Sequence, residues 1–346
     1  MVGHVLLAPI IPNLKLFVNP PLMEEAPEQN LRPRKWQEYI GQEKVKQNLN
    51  IIVEAAKKRS EPLEHLLFYG NPGLGKTTLA HVIADEMGAP LKICTGPTLE
   101  KTGDLASLLT SLEQGDILFL DECHRVQKAV MEMLYSALED FQLHLVMGKG
   151  PMARIINLDI PRFTLIGATT RIALLPAPLR NRFGAIFQLQ FYGLDDMKEI
   201  VRRSASILKI PIDEAALTLI SSRSRSTPRI ANRILRRVRD FSTIEGSSSI
   251  SEKTAQKALQ FLEIDALGLE PADRKILEAL IITFGGGPVG IRSLAAATAE
   301  EEDAILDLYE PFLLQLGLLE RTPRGRVSTP LAHRHLHLSP KQPELL

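Results

Sequence analysis

The chain has 346 residues, of which 45% are hydrophobic, 24% charged and 5% aromatic, the composition of a soluble globular protein of two or three domains. Disorder and collagen-like repeats are thereby excluded. The two cysteines, Cys94 and Cys123, show no CxxC spacing, which argues against a disulfide framework and suits a reducing, cytoplasmic compartment. Lys and Arg total 41 against 41 Asp and Glu, so a nucleic-acid partner has to be held by a local basic patch and not by an overall positive charge.

Residues 1–30 read as a variable tail. Val5 to Ile11 is apolar, but Pro9 and Pro12 interrupt the run and no basic segment precedes it, unlike a signal peptide. No apolar run approaches the roughly 20 residues of a membrane-spanning helix, and no membrane partner is expected. Over 31–192, short apolar runs alternate with longer segments of helical period, which predicts an α/β domain: a parallel sheet with helices on both faces. The runs 65–69, 117–120 and 163–167 lack alternation, as strands covered on both faces do. Residues 193–263 have helical period throughout, with the serine-rich 247–251 as a loop between helices. Within 264–346, a helical face at Ile276, Leu277, Leu280 and Phe284 stops at Gly285-Gly286-Gly287-Pro288. Amphipathic segments at 291–297 and 301–316 follow, then an extended stretch at 321–329, which together predict a winged helix.

The sharpest signal is Gly70-Asn71-Pro72-Gly73-Leu74-Gly75-Lys76-Thr77, a P-loop placed between a predicted strand and a predicted helix. Its glycines let backbone N–H groups face one anion, and the helix that follows adds the positive end of its dipole. Lys76 is expected to reach the β- and γ-phosphates and Thr77 to ligate Mg²⁺. Further on, Ile117-Leu118-Phe119-Leu120 ends in Asp121-Glu122, which reads as a Walker B segment. On a strand expected to lie beside the P-loop strand, Asp121 would hold Mg²⁺ through water and Glu122 would orient the attacking water. That pair predicts ATP hydrolysis as well as binding.

These motifs stand in order with further blocks: Leu31-Arg32-Pro33, Tyr39-Ile40-Gly41-Gln42, Gly167-Ala168-Thr169-Thr170-Arg171, Leu179-Arg180-Asn181-Arg182-Phe183, Thr227-Pro228-Arg229 and Arg321-Thr322-Pro323-Arg324-Gly325-Arg326. The set resembles the AAA+ ATPases and, within them, the RuvB family of Holliday junction branch migration motors, from Leu31 to about Thr329. The resemblance implies a large AAA+ domain (31–192), a small helical lid (193–263) and a winged-helix head (264–346). It makes Thr170 sensor 1, with Thr169 as the alternative. Arg182 would be an arginine finger acting on a neighbouring subunit's γ-phosphate, so that hydrolysis depends on assembly into a homohexameric ring. Arg229 would be sensor 2. Leu31, Arg32 and Tyr192 would surround the base and ribose, and Gly73, Gly75, Thr78, Glu139, Asp140 and Phe141 join the nucleotide-binding positions.

The segment 141–160, with Phe141, Leu143 and Leu145 leading to a turn at 148–151 and Ile155, Ile156 and Leu158 returning, resembles a protruding hairpin that docks on RuvA by apolar contact. RuvC is the further partner implied, in the complex that resolves junctions. Arg321, Arg324 and Arg326 supply the local basic patch on the predicted wing, where they can neutralise phosphates of duplex DNA arms without reading bases. Arg321 and Arg326 are the foremost of the three by resemblance. His333, Arg334, His335 and His337 have mixed spacing and read as a solvated or weakly DNA-facing tail and not as a metal site. The activity implied is an ATP-dependent DNA translocase of recombination and repair, part of the SOS response. A clamp-loader-like switch shares the nucleotide site, and a protein-remodelling ATPase would need an aromatic-hydrophobic-Gly pore loop, which is not found. Asn71, Cys123 and Ser226 depart from the family's usual proline, isoleucine and glycine; none removes a catalytic side chain.

Overall fold

Alternation of apolar runs and helical segments becomes, in this computed structural model, one α/β layer followed by two smaller helical assemblies. Residues 31–147 and 154–338 are described. The chain divides into an N-terminal unit, 1–32, and a second unit, 33–346, to which the following applies. The elements of the first part run α1 (Glu43–Arg59), β1 (Leu66–Tyr69), α2 (Lys76–Met87), β2 (Leu91–Thr95), α3 (Thr102–Thr110), β3 (Ile117–Asp121), α4 (Lys128–Glu139), β4 (Gln142–Met147), β5 (Arg154–Asp159), β6 (Thr164–Thr169), α5 (Ala177–Arg180) and β7 (Ala185–Gln188). Five strands form a parallel sheet in the order β2-β3-β6-β1-β7.

The three non-alternating runs are its inner strands, and their apolar residues are buried on both faces. Two ends differ from expectation. His65 precedes β1, and its ring is used sideways: Nδ1 accepts the Leu165 N–H at 2.9 Å, which leaves Nε2 to donate to the Leu138 carbonyl at 3.1 Å. Phe163 likewise precedes β6, which runs on to Thr169. A larger correction concerns order. The Walker B strand β3 does not neighbour the P-loop strand β1; β6 lies between them, pairing with both. The end of β6, with Thr169 and Thr170, is therefore set between the P-loop and Asp121.

The antiparallel pair β4-β5 forms the expected hairpin, with Leu143 opposite Leu158 and Leu145 opposite Ile156. Opposed residues share a face. Leu143 is fully buried while Leu158 and Ile156 are exposed, so the apolar face passes from core to solvent across the pair. The expected turn at 148–151 lies outside the described residues.

The helical part comprises α6 (Leu194–Ile207), α7 (Glu214–Ser222), α8 (Pro228–Ile244) and α9 (Glu252–Phe261). Its helix starts are specified locally. Asp213 accepts the Ala216 N–H at 2.6 Å and Ser251 the Thr254 N–H at 3.2 Å, caps that contribute about 1 kcal/mol each. Pro228 occupies the first turn of α8, where its missing N–H costs nothing. In α8, Ile234, Leu235 and Val238 are buried, as their spacing predicts. One apolar core runs from Leu49, Phe68 and Ile83 into Leu217, Ile234 and Leu259, so this part shares its core with one face of the sheet. A second core, including Leu105, Leu134, Leu143 and Phe163, covers the other face.

The last part has its own core around Ile276, Leu280, Leu294, Phe312 and Leu319. It contains α10 (Pro271–Glu278), which passes into a π-turn (Ala279–Thr283), then α11 (Ile291–Thr298) and α12 (Glu302–Ala304). A second π-turn (Ile305–Tyr309) leads to α13 (Glu310–Gln315), the ribbon β8 (Leu319–Thr322) and β9 (Gly325–Ser328), and α14 (Pro330–Leu336). This is the expected winged helix, with the ribbon as its wing. No helix among the described residues is long and apolar enough to cross a membrane.

Candidate nucleotide site and the wing

β1 ends at Tyr69, and the chain turns through Gly70, Gly73 and Gly75, all at positive φ, before α2 begins at Lys76. Gly75 has a second reason to lack a side chain: a Cβ there would stand 2.8 Å from the Tyr39 hydroxyl. Tyr39 meets the Tyr192 hydroxyl at 3.1 Å, and Tyr192 donates to the Leu74 carbonyl at 3.2 Å. Burial pushes the Tyr192 phenol up to about 12 and Tyr39 well above its ordinary value, so both stay neutral beneath the loop. Tyr192 was expected at the site; Tyr39's support of the loop leaves no trace beyond the motif in which it sits.

Lys76 is buried and its Nζ donates to the carbonyls of Gly70 at 2.7 Å and Asn71 at 2.9 Å. Asn71 thus supplies only its backbone carbonyl, which a proline would supply equally. Burial pulls the Lys76 ammonium down to about 8, against the attraction of Asp121 and with the repulsion of Arg229; Glu122 and Asp307 act in the same sense as Asp121. The structure therefore brings Lys76, Asp121, Glu122 and Arg229 together electrostatically. Arg229 stands at the start of α8 against the loop, its Cβ 3.1 Å from where a Gly73 Cβ would be. Thr77 and Thr78 lie in the first turn of α2.

Asp121 accepts the Glu122 N–H at 2.9 Å, and Glu122, at φ 47°, is paired with Arg125 at 3.1 Å. Beneath them, a Cβ on Gly96 would fall 2.4 Å from the Glu122 carbonyl, so a glycine is required to keep that backbone in place. Cys123 is fully buried, and burial pushes its thiol up to about 12, which makes it inert packing. Of the adjacent threonines, Thr169 is engaged with His124 Nδ1 at 2.9 Å and accepts the Arg171 N–H at 3.0 Å. The Thr170 hydroxyl is buried and has no partner. An orphaned donor at this point, between P-loop and Walker B strand, fits a phosphate oxygen or a water that a phosphate brings.

Hard oxygen donors at Thr77 and Asp121, with phosphate oxygens for the rest, form the donor set that Mg²⁺ takes. Among the described residues no group of three or more His, Cys, Asp or Glu makes a self-sufficient metal site. His333 bonds Ser328 at 2.9 Å and His335 bonds Asp265 at 2.8 Å.

Arg182 is held within its own chain. It donates to the carbonyls of Tyr135 (3.3 Å) and Pro178 (2.9 Å), lies 5.5 Å from the Tyr135 ring centroid and is ion-paired with Glu139. Glu139 closes α4, Asp140 follows it, and Phe141, at φ 53°, packs edge-on to Phe163 and starts the hairpin. Glu139, Asp140, Phe141 and Arg182 thus form one local group. Leu31 and Arg32 belong to the N-terminal unit.

On the wing, Arg321 and Arg326 are directly opposed. Both reach the buried Glu310, Arg321 at 2.7 Å and Arg326 at 3.1 Å. Arg321 remains 55% exposed but Arg326 only 12%, whereas Arg324, at the tip, is exposed. Arg326 faces inward, and Arg324 and Arg321 face solvent.

Three family descriptions match in succession: the Holliday junction DNA helicase RuvB P-loop domain over 31–189, the RuvB AAA lid domain over 192–265 and the RuvB C-terminal winged helix domain over 266–337. The chain is 54% identical over 316 residues to a Holliday junction branch migration complex subunit RuvB of Kosmotoga olearia, covering 91% of this chain and 92% of that one. It is 58% identical over 311 residues to the protein so named in Chloroflexus aurantiacus, covering 90% and 89%. The solved structure of the Thermotoga maritima RuvB Holliday junction branch migration motor superposes with a TM-score of 0.84 at 50% identity, covering 90% of this chain and 99% of that one. The ordered P-loop, lid and winged helix, together with identities above one half over nine-tenths of the sequence, place the chain in the RuvB family of AAA+ ATPases.

Proposed function

We propose that the chain is the ATP-driven motor of Holliday junction branch migration, a homohexameric ring that pulls duplex DNA arms through a RuvA-bound junction in recombination and repair. The observation that carries this reading is the joining, in one chain of this family, of a hydrolytic set at the ends of the inner strands with a winged helix bearing exposed arginines. The partition 31–192, 193–263 and 264–346 assigns hydrolysis to the first part, a lid over the nucleotide to the second and DNA contact to the third. Action on DNA junctions in a reducing cell interior makes the location cytoplasmic.

Lys76 and the N–H groups of Gly73, Gly75, Thr77 and Thr78 bind the phosphates. Thr77 and Asp121 would hold Mg²⁺, which supplies charge neutralisation at the β- and γ-phosphates. Glu122 orients the attacking water and accepts its proton, for which it has to leave Arg125. Thr170 donates its hydroxyl proton to the γ-phosphate or the lytic water. Arg229 closes the lid on the phosphates, and Leu31, Arg32 and Tyr192 flank the base and ribose. Arg182, with Glu139, Asp140 and Phe141 beside it, faces the nucleotide of the neighbouring subunit, where its guanidinium offsets charge developing on the γ-phosphate. The exposed apolar residues Ile156 and Leu158 give the hairpin its docking face for RuvA, and RuvC joins the resolving complex.

The reading is tested by ATP turnover of the purified chain with and without duplex DNA and RuvA. Stimulation by the two together supports it. Turnover indifferent to both overturns it.

A further inference from the structure

Arg171 immediately follows the orphaned Thr170, yet its side chain points away from the sheet and into the winged helix. Its Nε donates to Asp307 at 2.6 Å and its NH2 to Asp303 at 2.9 Å. The two carboxylates are four residues apart, on α12 and the π-turn that continues it, and so present one face to the guanidinium. The Arg171 backbone N–H is bonded to Thr169, which is bonded in turn to His124, two residues beyond Glu122. One unbroken chain of polar contacts thus runs from the Walker B loop, across the end of β6, into the winged helix. Asp307 also acts electrostatically on Lys76 and on His124, although it belongs to a different domain from either.

A second contact of the winged helix is made by Arg225, next to the residues that lead into α8. Its guanidinium bonds both oxygens of Asp273 at 3.1 and 3.2 Å and the Leu308 carbonyl at 2.8 Å, and lies 4.6 Å from the Phe312 ring centroid. The two anchors differ in burial. Asp273 is fully buried and Arg225 nearly so, whereas Asp303 is largely exposed and Arg171 and Asp307 are about a quarter exposed. A buried pair is hard to open and a partly solvated one is not, so the Arg171 contact is the one that can yield.

We propose that Arg171, Asp303 and Asp307 form a latch between the ATPase sheet and the winged helix, which the charge of a bound nucleoside triphosphate loosens. The triphosphate repels Asp307 across the site and competes for the guanidinium one residue beyond Thr170, while the Arg225–Asp273 anchor holds. Hydrolysis and phosphate release let the latch close again, so that the winged helix is released from the ATPase sheet in one nucleotide state and fixed to it in the other. The inference rests on the P-loop's binding a nucleotide but not on the winged helix's binding DNA.

The test is hydrogen exchange of the full chain, followed by mass spectrometry, in ADP and in a slowly hydrolysed ATP analogue, with saturation of both checked by fluorescent-nucleotide displacement. Exchange over 302–309 is expected to be severalfold faster in the analogue, with 271–278 unchanged. In the double substitution Asp303→Asn with Asp307→Asn, 302–309 is expected to exchange at the fast rate in both nucleotides. Equal exchange in the two nucleotides in the unaltered chain, with both bound, would overturn the latch alone. So would a nucleotide dependence that survives the double substitution. Failure of either nucleotide to bind would overturn the P-loop reading and the latch with it.

Discussion

Thr169 lies 2.9 Å from Nδ1 of His124, and that contact separates two neighbouring threonines that the motif alone leaves equivalent. Thr169 Oγ1 already accepts the Arg171 N–H and shares a second hydrogen bond with His124, whose imidazole burial pulls below its ordinary value. Thr170 keeps an unspent hydroxyl. Thr170→Val is therefore expected to lower single-turnover ATP hydrolysis by about 10²-fold, the effect of removing one transition-state donor, with ATP affinity nearly unchanged. Thr169→Val is expected to act mainly on stability, by roughly 1–3 kcal/mol, since it leaves the Arg171 N–H without its partner. Thermal unfolding and single-turnover assays on both variants check the assignment; the opposite ranking would transfer the sensor role to Thr169.

Arg182 is held against Glu139 and Tyr135 within its own chain. Arg182→Ala is expected to bind ATP normally and to hydrolyse it about 10³-fold or more slowly, as loss of an arginine finger does. Mixing it with subunits that carry Arg182 but the substitution Lys76→Ala should restore turnover, because each then supplies what the other lacks. Absence of rescue in mixed rings would show that Arg182 acts within its own subunit or not at all.

Ser226 has φ 52° and its carbonyl accepts the Tyr192 N–H at 3.0 Å, so the strained residue is fixed in place beneath the nucleotide site. A side chain in the left-handed region costs roughly 1–2 kcal/mol that glycine does not incur. The substitution Ser226→Gly is expected to raise stability by about 0.5–1 kcal/mol, after allowance for the greater freedom of glycine in the unfolded chain. Chemical denaturation of the two proteins measures the difference, and a loss of stability would contradict the strain argument.

On the wing, one buried carboxylate holds two arginines, so Glu310 is structural and Arg324 is the charge most available to a phosphate. Arg324→Ala is expected to reduce the slope of log affinity against log salt for duplex DNA by about one, without altering the fold. Glu310→Gln should instead destabilise the winged helix by about 2–3 kcal/mol, by leaving the mostly buried Arg326 without its carboxylate. Salt titrations of DNA binding and calorimetric unfolding distinguish the two effects.

Much of this was legible in the sequence because the signals are local. The P-loop declares itself by glycines that positive φ demands and the inner strands by unbroken apolar runs. Sheet order was not legible: nothing within β3 or β6 says which of them neighbours β1, since pairing is a long-range choice among similar apolar runs. Nor were the cross-domain pairs Arg171–Asp307 and Arg225–Asp273, whose partners are far apart in sequence. The wing shows the limit of counting charges. Three arginines close together suggest one basic patch, and only the fold reveals that Glu310, a single acid upstream, neutralises part of it.

The central claim is that hydrolysis at Lys76, Asp121 and Glu122 moves duplex DNA. Its most direct test is the movement of a synthetic four-way junction with fluorescent arms, in the presence of the purified chain, RuvA and ATP with Mg²⁺. The account predicts continuous strand exchange over many base pairs that requires ATP hydrolysis and disappears with Glu122→Gln. A junction that stays where it was formed while ATP is consumed would contradict it.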